Sequence, residues 1–585
     1  MSRTFRDLTR REFLGAVSLG IAGAALLGCP PGLFPMCPHD DRISDLSAPL
    51  TIDVHAHAFN GKDLQIKEFI SQVLWDSKTS ELHGIVESLS DVLQSLGWTL
   101  APSASDELKV LKKYESALST CRRGEHERFF DADRQGGYNR GRKALNEALS
   151  ITMKTRPAPD ALPGYFQGQP SVSPFLVEKA RRAEDAIRKM PEKYSEWQKL
   201  RVAEMQIFRS EESVYGYINF LLHHFNYRYV NVVDYLDTYS PRSQRKIDLL
   251  IPSLVDFDWW LAKGRPTPVS LEDQVMVMEK ISVLTGGRVH GFVAFCPFRE
   301  LMTSEPGTFG QSMSLVKDAI ENRGFIGVKL YPPMGFAPYG NTGLPVWRDK
   351  STLPDRAHDN DFGQQLDSAM AKLFEWCCTE EVPVVAHTNH SNGPYDDFED
   401  LAGFRYWKIA LNEFPGLRVG FGHFGNTATA DDGGKRSGEF LELMTSSAKS
   451  SGKYAYADSG FFADALTQWP KLRDTLLKLY KAGSTVPLAE RFMYGSDWEM
   501  LLVEKDVDNF LENFINIIKD LEERTGTKSV GKHSLSDSFF GWNAVRYLGI
   551  QRGGSTRNRL EQFYTKHKIR TPDWMAKVDR EIPAN

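Results

Sequence analysis

Short apolar runs alternate with amphipathic segments along residues 246–550. The apolar runs have the length of buried strands, and most segments between them place apolar residues three or four positions apart, as a helix does. One more apolar run precedes this region and leads into His55. The eight predicted strands are Leu50–Val54, Ile247–Val255, Val289–Phe295, Phe325–Leu330, Val382–Ala386, Leu417–Gly422, Tyr454–Ala457 and Phe492–Tyr494. Helices are predicted at Leu271–Leu284, Met313–Asn322, Gln364–Cys378 and Asp506–Glu523.

Strands that alternate with helices indicate parallel βα units, and eight such strands close a barrel. We therefore predict an α/β fold, a (β/α)8 TIM-type barrel formed by residues 48–60 and 246–550. Residues 551–585 are predicted to be a C-terminal extension.

Residues 61–245, between the first two predicted strands, have a different pattern. Long polar segments with helical periodicity dominate, such as Phe175 to Met190 and Tyr194 to Phe208. Breaks rich in glycine and proline are predicted around Gly136 to Gly141 and Pro157 to Pro174. We expect a large, mainly helical insertion between strands one and two.

Residues 1–29 have the pattern of an export signal. Arg10 and Arg11 precede an apolar run from Gly15 to Gly28, which is shorter than the ~20 residues of a membrane span. The paired arginines indicate the twin-arginine route, and an amphipathic or buried helix is the alternative. Cys29 resembles the lipidated cysteine of bacterial lipoproteins, so we expect an exported protein that is periplasmic or membrane-anchored through its signal or a lipid. Residues 30–47, rich in proline and aspartate, are predicted to be a tether.

The composition of the chain argues against a nucleic-acid partner and against a disulfide framework. The chain has 585 residues, of which 41% are hydrophobic and 25% charged, as is ordinary for a soluble globular protein. A formal net charge of −5 gives no electrostatic reason to expect nucleic acid, so the expected partner is a small-molecule substrate. Six cysteines are too few and too scattered for a disulfide framework, and Cys377 and Cys378 are expected on a buried helix face.

Two histidines lie at the end of the first predicted strand. His55 and His57 are two residues apart, and side chains alternate along a strand, so both imidazoles should lie on one face. The active site of a (β/α)8 barrel forms at the C-terminal ends of its strands, because strand tips and βα loops converge there. Two imidazoles at this spacing can bind one divalent metal, with ring nitrogens ~2.0–2.1 Å from zinc.

Four more ionisable residues belong to other predicted strands. His387 ends strand five, His423 ends strand six, Asp497 follows strand eight, and Lys329 lies within strand four. A single histidine at a strand end is more often a hydrogen-bonded structural residue than a ligand. Six such residues at the ends of strands one, four, five, six and eight together predict a common metal centre.

These motifs resemble the amidohydrolase superfamily, in particular the amidohydrolase-related branch that includes aminocarboxymuconate semialdehyde decarboxylase. The resemblance covers residues 48–60 and about 246–550, and the helical insertion lies outside it. It is specific for the superfamily and poorly specific for a substrate. The residues that carry it are Ile52–His57, Gly327–Pro332, Val384–His387, Gly422–Gly425, Tyr494–Trp498, Gly541–Ala544 and Tyr547–Gly549.

The resemblance implies that His55, His57 and His387 ligate the metal and that Asp497 lies near both the metal and the attacking water. It implies that His423 is a ligand of a second metal, or a catalytic acid, base and oxyanion stabiliser. General chemistry supports these roles, because bound Zn²⁺ lowers the pKa of its water to ~7 and a nearby carboxylate can take the proton. The expected cofactor is a divalent metal, foremost zinc, with one ion favoured over two.

Lys329 admits more than one interpretation. In binuclear relatives a lysine on strand four is carboxylated and bridges two metals, whereas in the decarboxylase-like branch the same pattern surrounds a single metal. We favour one metal, with Lys329 paired with Asp497 or with a substrate carboxylate, because an isolated buried ammonium is costly. A lysine whose head reaches solvent is the remaining alternative.

Three residues are candidates for substrate binding, namely Lys329, Arg299 after strand three and His390 after strand five. The guanidinium of Arg299 could grip a carboxylate through two parallel hydrogen bonds, and a surface salt bridge is the equal alternative. His390 could touch the substrate, although histidines are common in loops. His223 and His224, in an apolar helical context, are expected to be packing residues.

The predicted function is that of an exported, metal-dependent hydrolase that acts on a small ester, lactone, amide or organic acid. Non-oxidative decarboxylation by the same residues is the alternative. A further alternative is a non-catalytic lipoprotein that keeps the barrel and binds a ligand or partner, because a fold alone does not prove activity.

Overall fold

The computed structural model describes residues 46–74, 83–120, 123–155, 182–207, 214–239, 243–305, 307–427, 429–445, 453–482, 487–526 and 530–581. The predicted export signal, Cys29 and nearly all of the predicted tether lie outside the described residues. Within the described ranges, none of the helices combines the length and the apolar character that a membrane span requires.

Eight parallel strands form one sheet, in the order in which they occur in the chain. All of their residues are buried, as expected for strands that are covered on both faces. Helices lie between successive strands, because parallel neighbours need long crossover connections. The strands are β1 (Ile52–His57), β2 (Leu249–Ser253), β3 (Phe292–Ala294), β4 (Gly327–Leu330), β5 (Val384–His387), β6 (Val419–Gly422), β7 (Ala455–Asp458) and β8 (Phe492–Met493).

Backbone hydrogen bonds join the segment that directly follows β8 to β1. The amide of Val54 donates to the carbonyl of Tyr494 over 3.2 Å, and the amide of His57 donates to the carbonyl of Trp498 over 2.8 Å. The sheet therefore closes on itself, which confirms the predicted (β/α)8 barrel.

The chain between β1 and β2 forms the predicted helical insertion. Of the predicted helix from Phe175 to Met190, residues 182–188 are described and helical, whereas Pro157 to Pro174 lies outside the described residues. The described helices are α1 (Ile66–Phe69), continued by a π-helix (Ile70–Leu74), α2 (His83–Leu100), α3 (Ala104–Ser119), α4 (Arg123–Thr155), α5 (Tyr194–Ile207), α6 (Val214–His223) and α7 (Arg228–Thr238).

The break predicted around Gly136 to Gly141 is wrong, because α4 runs through these residues. The glycines there serve close packing. A Cβ atom on Gly137 would lie 1.6 Å from Oδ1 of Asn226, and one on Gly141 would lie 2.6 Å from Cδ2 of Leu222. Glycine within a helix costs about 0.5–1 kcal/mol relative to alanine, but it lets a second segment of the insertion approach the helix backbone.

Helices on the outside of the barrel lie near their predicted positions. The helix predicted at Leu271–Leu284 has these bounds, and the hydroxyl of Ser270 caps it by accepting the amide of Asp273 over 3.1 Å. The barrel helices are α8 (Asp258–Leu261), α9 (Leu271–Leu284), α10 (Pro297–Thr303), α11 (Gln311–Asn322), α12 (Phe362–Thr379), α13 (Asp396–Glu399), α14 (Phe404–Glu413), α15 (Lys435–Thr445), α16 (Asp464–Thr467), α17 (Trp469–Lys481) and α18 (Phe510–Thr525).

The last helices of the chain cover the N-terminal ends of the strands. The hydroxyl of Tyr547 donates to the carbonyl of Val384 over 2.8 Å, and the indole of Trp574 donates to the carbonyl of Gly287 over 2.9 Å. The opposite end of the barrel therefore carries the strand tips with the candidate ligands. The covering helices are α19 (Leu535–Asp537), a π-helix (Ser538–Trp542), α20 (Asn543–Leu548), α21 (Ser555–His567) and α22 (Asp573–Glu581).

Candidate metal centre

The C-terminal ends of β1 and β8 bring three predicted ligands together. One ligand atom each of His55, His57 and Asp497 lies within 4.8 Å of the other two. Oδ1 of Asp497 is 3.6 Å from Nε2 of His55 and 3.3 Å from Nε2 of His57. All three side chains are buried, so competing water is largely excluded from them.

The strand that carries both histidines is irregular at this point. The register between β1 and β2 shifts between Asp53 and Ala56, as it does at a β-bulge. The carbonyl of His55, within this irregular stretch, accepts the amides of Ser496 over 3.2 Å and of Asp497 over 2.7 Å. The ligand-bearing segments at the ends of β1 and β8 therefore hold each other directly.

Hydrogen bonds define which nitrogen of each histidine carries a lone pair. Nδ1 of His57 lies 3.0 Å from the carbonyl oxygen of Ser253, which only accepts, so Nδ1 is the donor. Nδ1 of His55 donates in the same way to Oδ1 of Asp458 over 3.0 Å. Each Nε2 therefore presents a lone pair, and Oδ1 of Asp497 beside them has no hydrogen-bond partner.

Lone pairs that meet in a buried space repel one another unless a cation lies among them. Burial lowers the pKa of His57 below its ordinary value, so this imidazole is neutral near pH 7. Neutral imidazole nitrogens and a carboxylate oxygen are ligands that zinc binds, and each must be free of a proton to do so. The donor set of His55, His57 and Asp497 thus fits a divalent metal.

His387 and His423 form a hydrogen-bonded pair beside this set. Nδ1 of His423 donates to the carbonyl of Gly460 over 2.9 Å, so Nε2 of His423 accepts from Nδ1 of His387 over 3.0 Å. Burial lowers the pKa of His387 and brings that of His423 down to about 4, which keeps both rings neutral. Nε2 of His387 is left as a buried lone pair without a partner. His387 is therefore a candidate fourth ligand, although it lies outside the set of three.

Lys329 contacts the candidate ligand His55 and not Asp497, the partner within the chain that we predicted. Its ammonium donates to Nε2 of His55 over 3.0 Å, while Asp497 acts on it through charge alone. The reason is that His55 commits Nδ1 to another residue and so leaves Nε2 as an acceptor. Lys329 is 2% exposed, so the solvent-reaching alternative is also wrong, and burial lowers its pKa to about 8. Metal binding by His55 requires this ammonium to move away or to lose its charge.

Asp458, at the C-terminal end of β7, is a site residue that the sequence analysis missed. Its Oδ1 accepts Nδ1 of His55 and the amides of His423 over 3.1 Å and of Gly460 over 2.9 Å. A carboxylate in this position orients a ligand imidazole and raises its basicity. The available signal was its place directly after the predicted strand Tyr454–Ala457.

Two residues predicted to bind substrate, Arg299 on α10 and His390 after β5, are engaged by acidic groups of the chain itself. Arg299 donates to both carboxylate oxygens of Asp256 over 2.5 and 2.8 Å, and to Asp258 over 2.9 Å. This arrangement is the salt-bridge alternative for Arg299. His390 is exposed, and its Nε2 lies 2.9 Å from the carboxylate of Asp400.

Aromatic rings flank two of the imidazoles. Phe59 stacks on His57 with ring centroids 4.9 Å apart, and Tyr331 at the end of β4 stacks on His387 at 4.3 Å. Phe257 contacts Tyr331 edge to face at 5.0 Å. The candidate ligands therefore lie beside apolar walls.

The fold and the site define a (β/α)8-barrel protein with a candidate metal centre at the C-terminal ends of its strands. The sequence matches no protein-family model and no curated protein. Similar solved structures are TIM-barrel proteins and enzymes, among them an uncharacterised TIM-barrel protein of Bordetella bronchiseptica. That likeness has 13% identity, covers 60% of this chain and 90% of that chain, and has a TM-score of 0.32.

Two further similar structures are enzymes by their descriptions. One is a putative 2-pyrone-4,6-dicarboxylic acid hydrolase of Pseudomonas putida (15% identity, 54% of this chain, 86% of that chain, TM-score 0.31). The other is a 5-carboxyvanillate decarboxylase of Novosphingobium aromaticivorans with bound manganese (13% identity, 54% of this chain, 80% of that chain, TM-score 0.28). At such identities and TM-scores the likeness assigns no reaction to this chain.

Proposed function

We propose that this chain is a metal-dependent hydrolase of the amidohydrolase superfamily that acts on a small ester, lactone, amide or organic acid. The observation that carries the proposal is the convergence of ligand atoms from His55, His57 and Asp497, with Oδ1 of Asp497 buried and without a partner. The motifs that resemble the superfamily lie at these same positions.

His55, His57 and Asp497 would hold the metal, with His387 as a fourth ligand. A divalent ion such as Zn²⁺, when bound, supplies Lewis acidity and lowers the pKa of a water molecule. We propose one ion, because His423, the candidate ligand of a second, is hydrogen-bonded through both ring nitrogens.

The side chains around this position would handle the protons. Asp497 would accept a proton from the attacking water and deliver it to the leaving group. His423 would hold His387 in the tautomer whose Nε2 is free, because its own Nδ1 is committed to a backbone carbonyl. For His423 to act as an acid or base, its hydrogen bond to His387 must first break.

Non-oxidative decarboxylation is the second candidate function. The buried ammonium of Lys329 is the observation that favours it. Once its ammonium leaves His55, this buried cation can neutralise a substrate carboxylate. The rings of Phe59 and Tyr331 would flank a planar acid. A panel of substrates must therefore contain aromatic carboxylates beside esters, lactones and amides.

Metal content and turnover test the proposal. The full-length protein, stripped and then repleted with Zn²⁺, Mn²⁺ or Co²⁺, is expected to keep about one equivalent per chain, as a mononuclear site does. His57→Ala should lose both the metal and the turnover of any substrate found, because a ligand is removed. His358→Ala removes an exposed histidine and should change neither.

Two outcomes count against parts of this proposal. A metal content below about a tenth of an equivalent per chain after repletion would rule out the proposed metal centre. A bound metal without turnover of any compound in the panel would favour the non-catalytic binding protein. Reconstitution with and without bicarbonate distinguishes a one-metal site from a two-metal site, because only a carboxylated Lys329 needs bicarbonate. We expect one equivalent of metal per chain under both conditions.

A further inference from the structure

A buried carboxylate joins the two strand ends that carry the candidate ligands. Asp53, two residues before His55, accepts the amide of Ser496 over 3.1 Å and its hydroxyl over 2.5 Å. The amide of His55 also donates to Asp53 over 3.1 Å. Ser496 directly precedes Asp497, so Asp53 lies between one ligand of β1 and the ligand that follows β8.

The helical insertion supplies the last donor to this carboxylate. The hydroxyl of Tyr235, on α7, donates to Oδ2 of Asp53. The phenol ring is fully buried and packs on Trp498, with centroids 4.7 Å apart. The side chain of Tyr235 therefore contacts the residue after Asp497 directly, and it reaches Ser496, the residue before Asp497, through Asp53.

A second polar residue on α7 also contacts the segment that follows Asp497. Asn231 lies one turn before Tyr235 and therefore on the same face of α7. Its amide donates to Oε1 of Glu499 over 3.1 Å, and Oε2 of Glu499 accepts the amide of Phe59 over 2.9 Å. The loop that follows β8 thus contacts α7 twice, and Glu499 connects it to the loop that follows β1.

The turn that is held in this way has a backbone conformation that needs support. Asp497 has φ 57°, a left-handed value that is uncommon for a residue with a side chain. Such conformations persist where the surrounding structure over-determines them. Asp53, Tyr235 and Trp498 surround this turn together with the carbonyl of His55, which accepts the amide of Asp497.

We propose that Tyr235 is a positioning residue that the insertion contributes to the metal centre, where it holds Asp53 and, through Ser496, the turn of Asp497. The proposal rests on the proposed metal centre and assigns a role to the insertion, which the resemblance to the amidohydrolase superfamily does not cover. Without the hydroxyl, Asp53 loses a buried donor and the turn gains freedom, so the ligand oxygen is less well placed.

The test compares two tyrosines of one helix region in the full-length protein. Tyr235→Phe removes the donor to Asp53. Tyr239→Phe is the matched control, because Tyr239 is also buried but donates to the backbone carbonyl of Val507 over 3.2 Å. Co²⁺ alone is the probe, with its dissociation constant from chelator competition and its visible absorption spectrum as readouts.

We expect Tyr235→Phe to weaken Co²⁺ binding about tenfold and to change the intensity of the absorption bands. A tenfold loss is at the lower end of the effect of removing a residue that supports metal ligands. Tyr239→Phe should match the wild type in both. Ser496→Ala, which removes another donor to Asp53, should shift affinity and spectrum in the same direction even if Tyr235→Phe does not fold.

The outcomes separate the two proposals. Wild-type affinity and spectrum in Tyr235→Phe, or in Ser496→Ala, would overturn the positioning role and leave the metal centre intact. Absence of Co²⁺ binding in the wild type would instead overturn the proposed function. An equal loss of affinity in Tyr239→Phe would reduce the effect to general packing and would also overturn the positioning role.

Discussion

The two histidines of β1 each owe their tautomer to a second residue that accepts the hydrogen of Nδ1. Ser253 accepts Nδ1 of His57, and Asp458 accepts Nδ1 of His55. These bonds select the tautomers in which Nε2 can bind a metal, and burial lowers the pKa of His57, so that its Nε2 stays free of a proton. The protein thus orients both rings before any ion is present, and the ammonium of Lys329 must still leave Nε2 of His55 before a metal binds there.

Replacing Asp458 tests this preparation at a single residue. Asp458→Asn keeps the size of the side chain and removes the charge that faces His55. We expect the affinity for Zn²⁺ or Co²⁺ to fall about 10- to 100-fold, because the ligand imidazole becomes less basic. Asp464→Asn is the control, since Asp464 is also a buried carboxylate but accepts the amide of Ala430 over 2.9 Å. Unchanged affinity in Asp458→Asn, measured by chelator competition, would contradict the role given to this carboxylate.

Among the elements, α4 shows how packing overrides a local signal. Neighbouring glycines in this helix have opposite surroundings. A Cβ on Gly136 would meet only Nη1 of Arg140 at 3.7 Å, whereas one on Gly137 would collide with the side chain of Asn226 and lie 3.1 Å from its Cα. Sequence alone treats the two positions alike, because both weaken a helix.

These two glycines give a paired prediction for stability. Gly136→Ala should raise the free energy of unfolding by about 0.5–1 kcal/mol, because it lowers the backbone entropy of the unfolded chain without a clash. Gly137→Ala should lower it by about 1–3 kcal/mol, because the methyl group overpacks the contact with Asn226. Urea unfolding of the two variants measures both values. The packing interpretation fails if Gly137→Ala is as stable as Gly136→Ala.

For the molecule as a whole, buried neutral histidines link stability to pH. Burial lowers the pKa of His290 to about 4, and its ring lies between the carbonyl of Gly324 and the hydroxyl of Tyr564. The unfolded chain has the ordinary pKa of about 6.5, so it binds the proton first. The stability due to His290 is therefore complete above pH 6.5 and is lost progressively as the pH falls toward 4, by about 3 kcal/mol in all.

The thermal midpoint of the metal-free protein between pH 7 and 4 tests this linkage. His290→Gln keeps a donor for Gly324 and an acceptor for Tyr564 but does not titrate. Its midpoint should fall less steeply below pH 6.5 than that of the wild type. Parallel curves for the two proteins would show that His290 does not contribute. The ring of His290 contacts Tyr564 on α21, one of the helices that cover the end of the barrel opposite the candidate ligands, so the test is separate from the metal centre.

Much of the barrel and part of the site follow from the sequence. The apolar runs predicted all eight strands, because a strand covered on both faces must be apolar wherever it occurs. His55, His57 and Asp497 could be singled out because the chemistry of a residue and its place at a strand end are both local properties. Closing the barrel then brings the ends of β1 and β8 together by topology alone.

Other features arise only when distant segments meet. Tyr235 reaches Asp53 across 182 residues of chain, and Asp458 reaches His55 across 403. A tyrosine in a helix or an aspartate after a strand is common, and nothing in either stretch of sequence names its partner. Local pattern and residue chemistry thus determined the barrel and the kind of site, whereas tertiary packing decided the tautomers, the partner of Lys329 and the part that the insertion takes. The physical reason is that hydrogen bonds and close contacts depend on distances in space, which the order of residues along a chain does not contain.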